Sequence, residues 1–187
     1  MIILVDYLTS MSKYYIDAVI VVEGKTDVSY LSSFIDSQFF ITNGYDLNEE
    51  KIDFLSRVSE VNKVIVFTDN DKAGYDIENK LKSRIQSVIC VKSAVSSRYN
   101  YKKSGVAETK KEEILKALKP YISDTKQKGQ IRRYDLSIII SLSNNPKLVR
   151  DNIVKEYRLI DGSNKYLEQQ INMLKVDELE FKQKYGN

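Results

Sequence analysis

Two periods alternate along the first two thirds of the chain. Ile16 to Val22 is nearly unbroken apolar sequence rich in β-branched residues, the mark of a strand buried on both faces of a parallel sheet. Glu23-Gly24 ends it. Thr26 or Asp27 is placed to cap a helix running to about Asp36, with Val28, Leu31, Phe34 and Ile35 on one stripe. Phe39 to Thr42 predicts a second strand, closed by Asn43-Gly44, and Asn48 caps a helix carrying Ile52, Leu55 and Val58. Lys63 to Thr68 predicts a third strand. Asp69-Asn70-Asp71-Lys72-Ala73-Gly74 follows it, then a helix bearing Ile77, Leu81 and Ile85. Ser87 to Lys92 predicts a fourth strand. Thr109, with Glu112 three residues on, has the form of a capping box opening a helix with Ile114, Leu115 and Leu118. Strands alternating with helices of this length predict an α/β fold with a parallel sheet and right-handed crossovers.

After Pro120 the rhythm changes. Pro120 to Arg133 is polar and basic and reads as a linker. Asp135 to Leu142 is short and apolar. Asn145-Pro146 starts a helix with proline at its first position, and Asp161-Gly162 is a turn. Lys165 to Leu174 is a further helix, and Asp177 with Glu180 caps another. The expected units are therefore an α/β domain over 1–122, a basic linker over 123–133 and a small all-helical domain over 134–187. Residues 1–15 read as an extension of the first unit, because Met11 offers an alternative start.

Composition narrows the chemistry. The 187 residues include no His, no Trp and one Cys. A single cysteine excludes an internal disulfide and suits a reducing compartment. Cys90 lies inside a strand run and is expected to act as a small buried hydrophobe. Zinc ribbons and fingers are excluded, as is every nucleophile activated by His. Carboxylates, Lys, Tyr or metal-bound water must carry any acid–base work. No apolar run approaches the roughly 18 residues of a membrane span, and the N-terminus lacks the features of a signal peptide, so a cytoplasmic location is expected. Charge is uneven. Lys92 to Arg133 holds 12 basic and 4 acidic residues, against 17 basic and 22 acidic elsewhere. Its stretch Arg98-Tyr99-Asn100-Tyr101-Lys102-Lys103 interleaves cations with aromatics, the footprint expected for a phosphate backbone.

Three carboxylates fall at predicted strand ends: Glu23 after the first, Asp69 and Asp71 after the third. In an open parallel sheet ligands collect at the carboxyl ends of the strands. Asp69 and Asp71 share one face of an extended segment, and Glu23 faces them if the two strands are neighbours. Packed carboxylates repel unless cations or protons occupy the site. Oxygen ligands alone suit magnesium, with manganese as a substitute.

Val21-Val22-Glu23-Gly24-Lys25-Thr26-Asp27, followed by Thr68-Asp69-Asn70-Asp71-Lys72-Ala73-Gly74, resembles the Toprim domain of topoisomerases, primases, repair nucleases and one small ribonuclease family. Within that group the chain is similar to the 5S ribosomal RNA maturation endoribonucleases (ribonuclease M five). Thr42-Asn43-Gly44 with Leu47-Asn48-Glu49, then Gly105-Val106, Tyr134-Asp135-Leu136 and Gly162-Ser163-Asn164-Lys165-Tyr166-Leu167, resemble segments of that family. Asn70, Lys72-Ala73 and Ala107-Glu108 depart from its usual residues, which are Pro, Phe-Pro and Glu-His.

The resemblance implies a Toprim-like parallel sheet flanked by helices, plus the helical tail. It implies a magnesium-dependent endonuclease trimming both ends of precursor 5S rRNA, with the RNA presented by a 5S-rRNA-binding ribosomal protein. Glu23 would bind metal or serve as general acid–base, and Asp69 and Asp71 would bind metal. Asp27 and Glu108 are additional acidic candidates. Lys25, Asn43, Arg98, Lys102, Lys103, Lys110, Lys111, Arg132 and Arg133 are the candidates for RNA contact, and the helical tail for contact with the RNA–protein substrate. A non-catalytic RNA-binding or ribosome-assembly factor and a DNA-acting Toprim protein are the competing readings.

Overall fold

The computed structural model describes residues 13–92, 105–124 and 133–186. β1 (Tyr14–Val22), α1 (Lys25–Leu31), β2 (Ile35–Ile41), α2 (Glu49–Val61), β3 (Val64–Val66), α3 (Lys72–Arg84), β4 (Ile89–Cys90) and α4 (Lys111–Leu118) follow in chain order. The four strands form one sheet, in the order β2-β1-β3-β4, with every pairing parallel. β1 is therefore bonded along both edges, as its unbroken apolar run requires.

Alternation along β1 divides the interior in two. Val19 and Val21, with Val64 and Val66 of β3, face one side with Ile52, Leu55 and Val58 of α2 and Ile77 and Leu81 of α3. Ala18, Ile20 and Val22, with Ile65 and Phe67, face the other, under Leu31 of α1 and Ile114 and Leu118 of α4.

Three boundaries differ from the sequence reading. The first helix stops at Leu31, because Ile35 onward pairs with β1 (Tyr14 opposite Ile35) and the apolar stripe past Leu31 is strand sequence. That helix is entered through Gly24, and Asp27 reaches back to accept from the Gly24 N–H at 2.9 Å instead of standing at the cap position. Thr109 does not cap α4. Val106–Glu108 form a 3₁₀ turn, the Thr109 hydroxyl donates to the Gly105 carbonyl, and α4 starts one residue beyond Lys110 without a side-chain cap. Asn48, Asn145 and Asp177 do cap, accepting from Lys51, Leu148 and Glu180 N–H groups at 2.9–3.1 Å.

The tail is helical: α5 (Arg133–Leu142), α6 (Pro146–Glu156), α7 (Asn164–Met173) and α8 (Glu178–Tyr185). Leu136, Ile153, Leu167, Ile171 and Phe181 join the same apolar cluster as Val19 and Val64. Arg57 of α2 donates to the Tyr157 and Arg158 carbonyls at 2.8 and 2.6 Å. Asn62, just before β3, donates to the Met173 carbonyl, and Lys175 pairs with Asp17 in the first half of β1. Both of these last ties sit toward the amino ends of the strands.

Phe181 has no exposed surface and packs between the Tyr157 and Tyr185 rings, tilted against both. Truncating it to alanine should destabilise the chain by about 3–5 kcal/mol, as for other buried aromatics. Urea unfolding of Phe181→Ala against the parent checks this.

Candidate active site at the carboxyl ends of the strands

The first polar side chain after β1 is Glu23, and it meets the end of β3. Its Oε1 accepts from the Asp69 N–H at 3.0 Å. β1 and β3 are neighbours, the condition under which Glu23 can face the aspartates, and this carboxylate joins their ends. Asp69 turns its own carboxylate the other way: Oδ1 accepts from the Val106 N–H at 2.5 Å, in the 3₁₀ turn that follows the basic segment. Asp71 sits at the N-cap of α3, where Oδ1 accepts from the Gly74 N–H at 2.9 Å. A role as metal ligand would use the same side chain as the cap.

Close packing makes this arrangement depend on Gly74. A Cβ there would stand 2.2 Å from the Asp69 carbonyl oxygen and 3.0 Å from Glu23 Oε1. Gly105 likewise lies against Asp69, where a Cβ would meet Oδ2 at 3.2 Å.

The electrostatics are those of crowded anions. Burial, reinforced by Asp69, Asp71 and Asp27, pushes the Glu23 carboxyl above its ordinary value against the hydrogen bond from Asp69. Asp69 is likewise pushed up by burial, with repulsion from Asp71 and Glu108, while the Val106 N–H and the Lys92 charge oppose the rise. Asp27 is raised chiefly by burial, against its bond from Gly24. Five carboxylates therefore influence one another at this edge, although Glu108 itself is exposed.

Among the described residues no three of them close into a ready-made metal cage. This donor set fits a hard oxygen-seeking ion such as Mg²⁺, which usually keeps several waters and takes only one or two protein carboxylates beside substrate phosphates.

The RNA-contact candidates divide. Lys25 is exposed at the first position of α1, one residue beyond the Glu23-Gly24 turn. Asn43 is exposed, has φ 57°, and donates its backbone N–H to the Glu23 carbonyl at 3.0 Å. Buried Lys51 steadies that turn by donating to the Thr42 carbonyl and to Asp46. Lys110 and Lys111 are exposed just after the turn that touches Asp69. Arg133 is the first residue of α5. Arg98, Lys102, Lys103 and Arg132 lie outside the described residues.

Sequence reasoning missed Lys92, Glu78 and Thr68, which interlock behind Asp69. The available signal was that Lys92 ends the fourth predicted strand at the same edge as the acids.

A family model described as Toprim-like matches residues 20–103, from the last third of β1 into the basic segment. Ribonuclease M5 of Mycoplasma genitalium is 32% identical over 162 residues, covering 86% of this chain and 90% of that protein. Ribonuclease M5 of Borreliella burgdorferi is 30% identical, covering 89% and 92%. The chain belongs to the ribonuclease M5 family. In this family member, Glu23, Asp69 and Asp71 stand within the segment matched as Toprim-like, and the match to the two relatives runs on into the helical tail.

Two outcomes are expected. Gly74→Ala should lower ribonuclease turnover by about 100-fold, because a displacement near 1 Å at reacting groups costs that much; turnover of the folded variant, checked by circular dichroism, measures it. The second concerns pH. Carboxyls raised by folding favour the folded state at low pH, and that contribution is lost as pH climbs through their raised values. Asp27→Asn keeps an oxygen to accept from Gly24 but removes one charge. Without divalent ions it should melt above the parent at neutral pH, by about 2–4 °C for each kcal/mol relieved. The gap should narrow as pH falls into the ordinary carboxylate range, where the parent carboxyls, raised by burial, take up protons. Thermal melts across pH in a chelating buffer decide it.

Proposed function

We propose that this chain is a divalent-metal-dependent endoribonuclease that matures precursor 5S ribosomal RNA in the cytoplasm, hydrolysing phosphodiester bonds near both ends of the mature sequence. The observation that carries the reading is the meeting of Glu23 with Asp69 at the carboxyl edge of β1 and β3, beside Asp71, in a chain of the ribonuclease M5 family.

Asp69, Asp71 and Glu23 would hold the ion, Mg²⁺ with Mn²⁺ as substitute. When bound, the ion polarises the phosphodiester and makes a water nucleophilic near neutral pH. The protein's own contribution is position and proton affinity. The backbone of Asp69 is fixed by Glu23, and its carboxylate by the Val106 N–H. Glu23, buried among other carboxylates, keeps a proton to higher pH than an exposed glutamate. It is therefore suited to take a proton from water or return one to the leaving oxygen.

Lys25, Asn43 and Lys110 are exposed on three different connections near this edge and face the RNA backbone in this reading, while the Lys111 ammonium lies 5.4 Å from the Phe34 ring, just before β2, and would meet RNA farther from the acids. Arg98, Lys102 and Lys103 of the basic segment are further cations of the sequence for the same RNA backbone in this reading. Residues 134–187 form the unit that meets the RNA together with the ribosomal protein that presents it.

Asp69→Ala tests the assignment. Cleavage of precursor 5S rRNA, with its cognate ribosomal protein and Mg²⁺ present, should fall below detection, while RNA binding stays within a few-fold of the parent or tightens slightly as one negative charge leaves. Gel-resolved cleavage and filter binding on the same preparations measure both. Surviving cleavage would overturn the site. Intact RNA with the parent protein would favour the non-catalytic alternative.

A further inference from the structure

One cation at the carboxyl edge has no part in the scheme above. Lys92, two residues past β4, brings its Nζ to 2.6 Å from Glu78 Oε1, 2.7 Å from the Asp69 carbonyl oxygen, 3.0 Å from Thr68 Oγ1 and 3.3 Å from the Thr68 carbonyl oxygen. The same ammonium lies 4.7 Å from the centre of the Tyr75 ring. Glu78, on α3, is 5% exposed. A carboxylate so buried needs a charged partner, and Lys92 supplies it.

The consequence for Asp69 is geometric. Its N–H is held by Glu23 and its C=O by Lys92. Both polar groups of its backbone are therefore fixed before its side chain reaches the Val106 N–H. The Thr68 hydroxyl accepts from Lys92 and lies within reach of the Gly74 carbonyl and of Glu78, which ties the start of α3 into the same network.

We propose that Lys92 is a positioning residue: anchored by buried Glu78, it fixes the Thr68–Asp69 peptides so that Asp69 presents its carboxylate to a divalent ion. The inference rests on the metal-dependent reading above. A purely structural role would end at neutralising Glu78.

Two variants of the full chain separate these roles. Lys92→Met/Glu78→Gln removes both charges at once and so avoids leaving an unpaired ion inside. Lys92→Arg keeps the charge and the partner but replaces a point donor by a longer planar fork. Each is followed by thermal melting, by Mn²⁺ binding read from the electron paramagnetic resonance signal of the free ion, and by cleavage kinetics. Groups that orient metal ligands typically matter by 10–100-fold. Both folded variants should bind Mn²⁺ about 10–100-fold more weakly, with a similar fall in kcat and an unchanged KM for RNA. Wild-type Mn²⁺ affinity and kcat in either folded variant would overturn the proposal, as would tighter Mn²⁺ binding, which marks Lys92 as a repelling charge only. A parent that binds Mn²⁺ yet leaves RNA intact would defeat the hydrolytic reading, while the Mn²⁺ series would still decide the role of Lys92.

Discussion

β1 is paired along both edges and packed on both faces, and Val19 through Val22 have no exposed surface. That constraint sets where the chemistry can stand. A strand sealed on four sides cannot hold a charge within its length without heavy desolvation. β1 carries Asp17, paired with Lys175, only ahead of the sealed stretch Val19 to Val22; past that stretch the first residue able to hold a charge is Glu23, which leaves the core beside the end of β3. The parallel order β2-β1-β3-β4 then brings Asn43, Asp69 and Lys92, each just past its own strand, to the same edge.

Three acids gathered in this way repel one another, yet each is engaged by a backbone N–H. Glu23 takes the Asp69 N–H, Asp69 takes the Val106 N–H, and Asp71 takes the Gly74 N–H. Such bonds favour the ionised forms, while burial opposes them. For Glu23 and Asp69 burial and repulsion outweigh the bonds, so both remain raised. Crowded carboxylates whose repulsion is not fully met by neighbouring N–H groups are the condition that favours a bound cation.

Much of this was legible in the sequence because it follows from short-range rules. The apolar run of β1 announced a central parallel strand, and Glu23, Asp69 and Asp71 were located by standing at strand ends. Asn48, Asn145 and Asp177 announced themselves as caps through residue type and position. What was not legible depends on contacts distant in sequence. Thr109 and Glu112 match a capping box, but the 3₁₀ turn at Val106–Glu108, drawn toward Asp69, claims the Thr109 hydroxyl. Ile35 fits the stripe of α1 as well as it fits a strand, and pairing with β1 decides between them. Lys92 reads as one cation among the twelve of a basic segment, and only the approach of α3 and β3 gives it a buried partner.

The tail obeys the same logic from the opposite end. Its apolar residues complete the core face built by Val19, Val21, Val64 and Val66, so its helices are part of what keeps β1 dry. Its polar ties to Asn62 and Asp17 lie toward the amino ends of the strands. Burial and substrate access would conflict if both were asked of the same end of the sheet. The ties to Asn62 and Asp17 and the meeting of Glu23 with Asp69 stand at opposite ends of the sheet, so these ties make no demand on the edge where the acids gather.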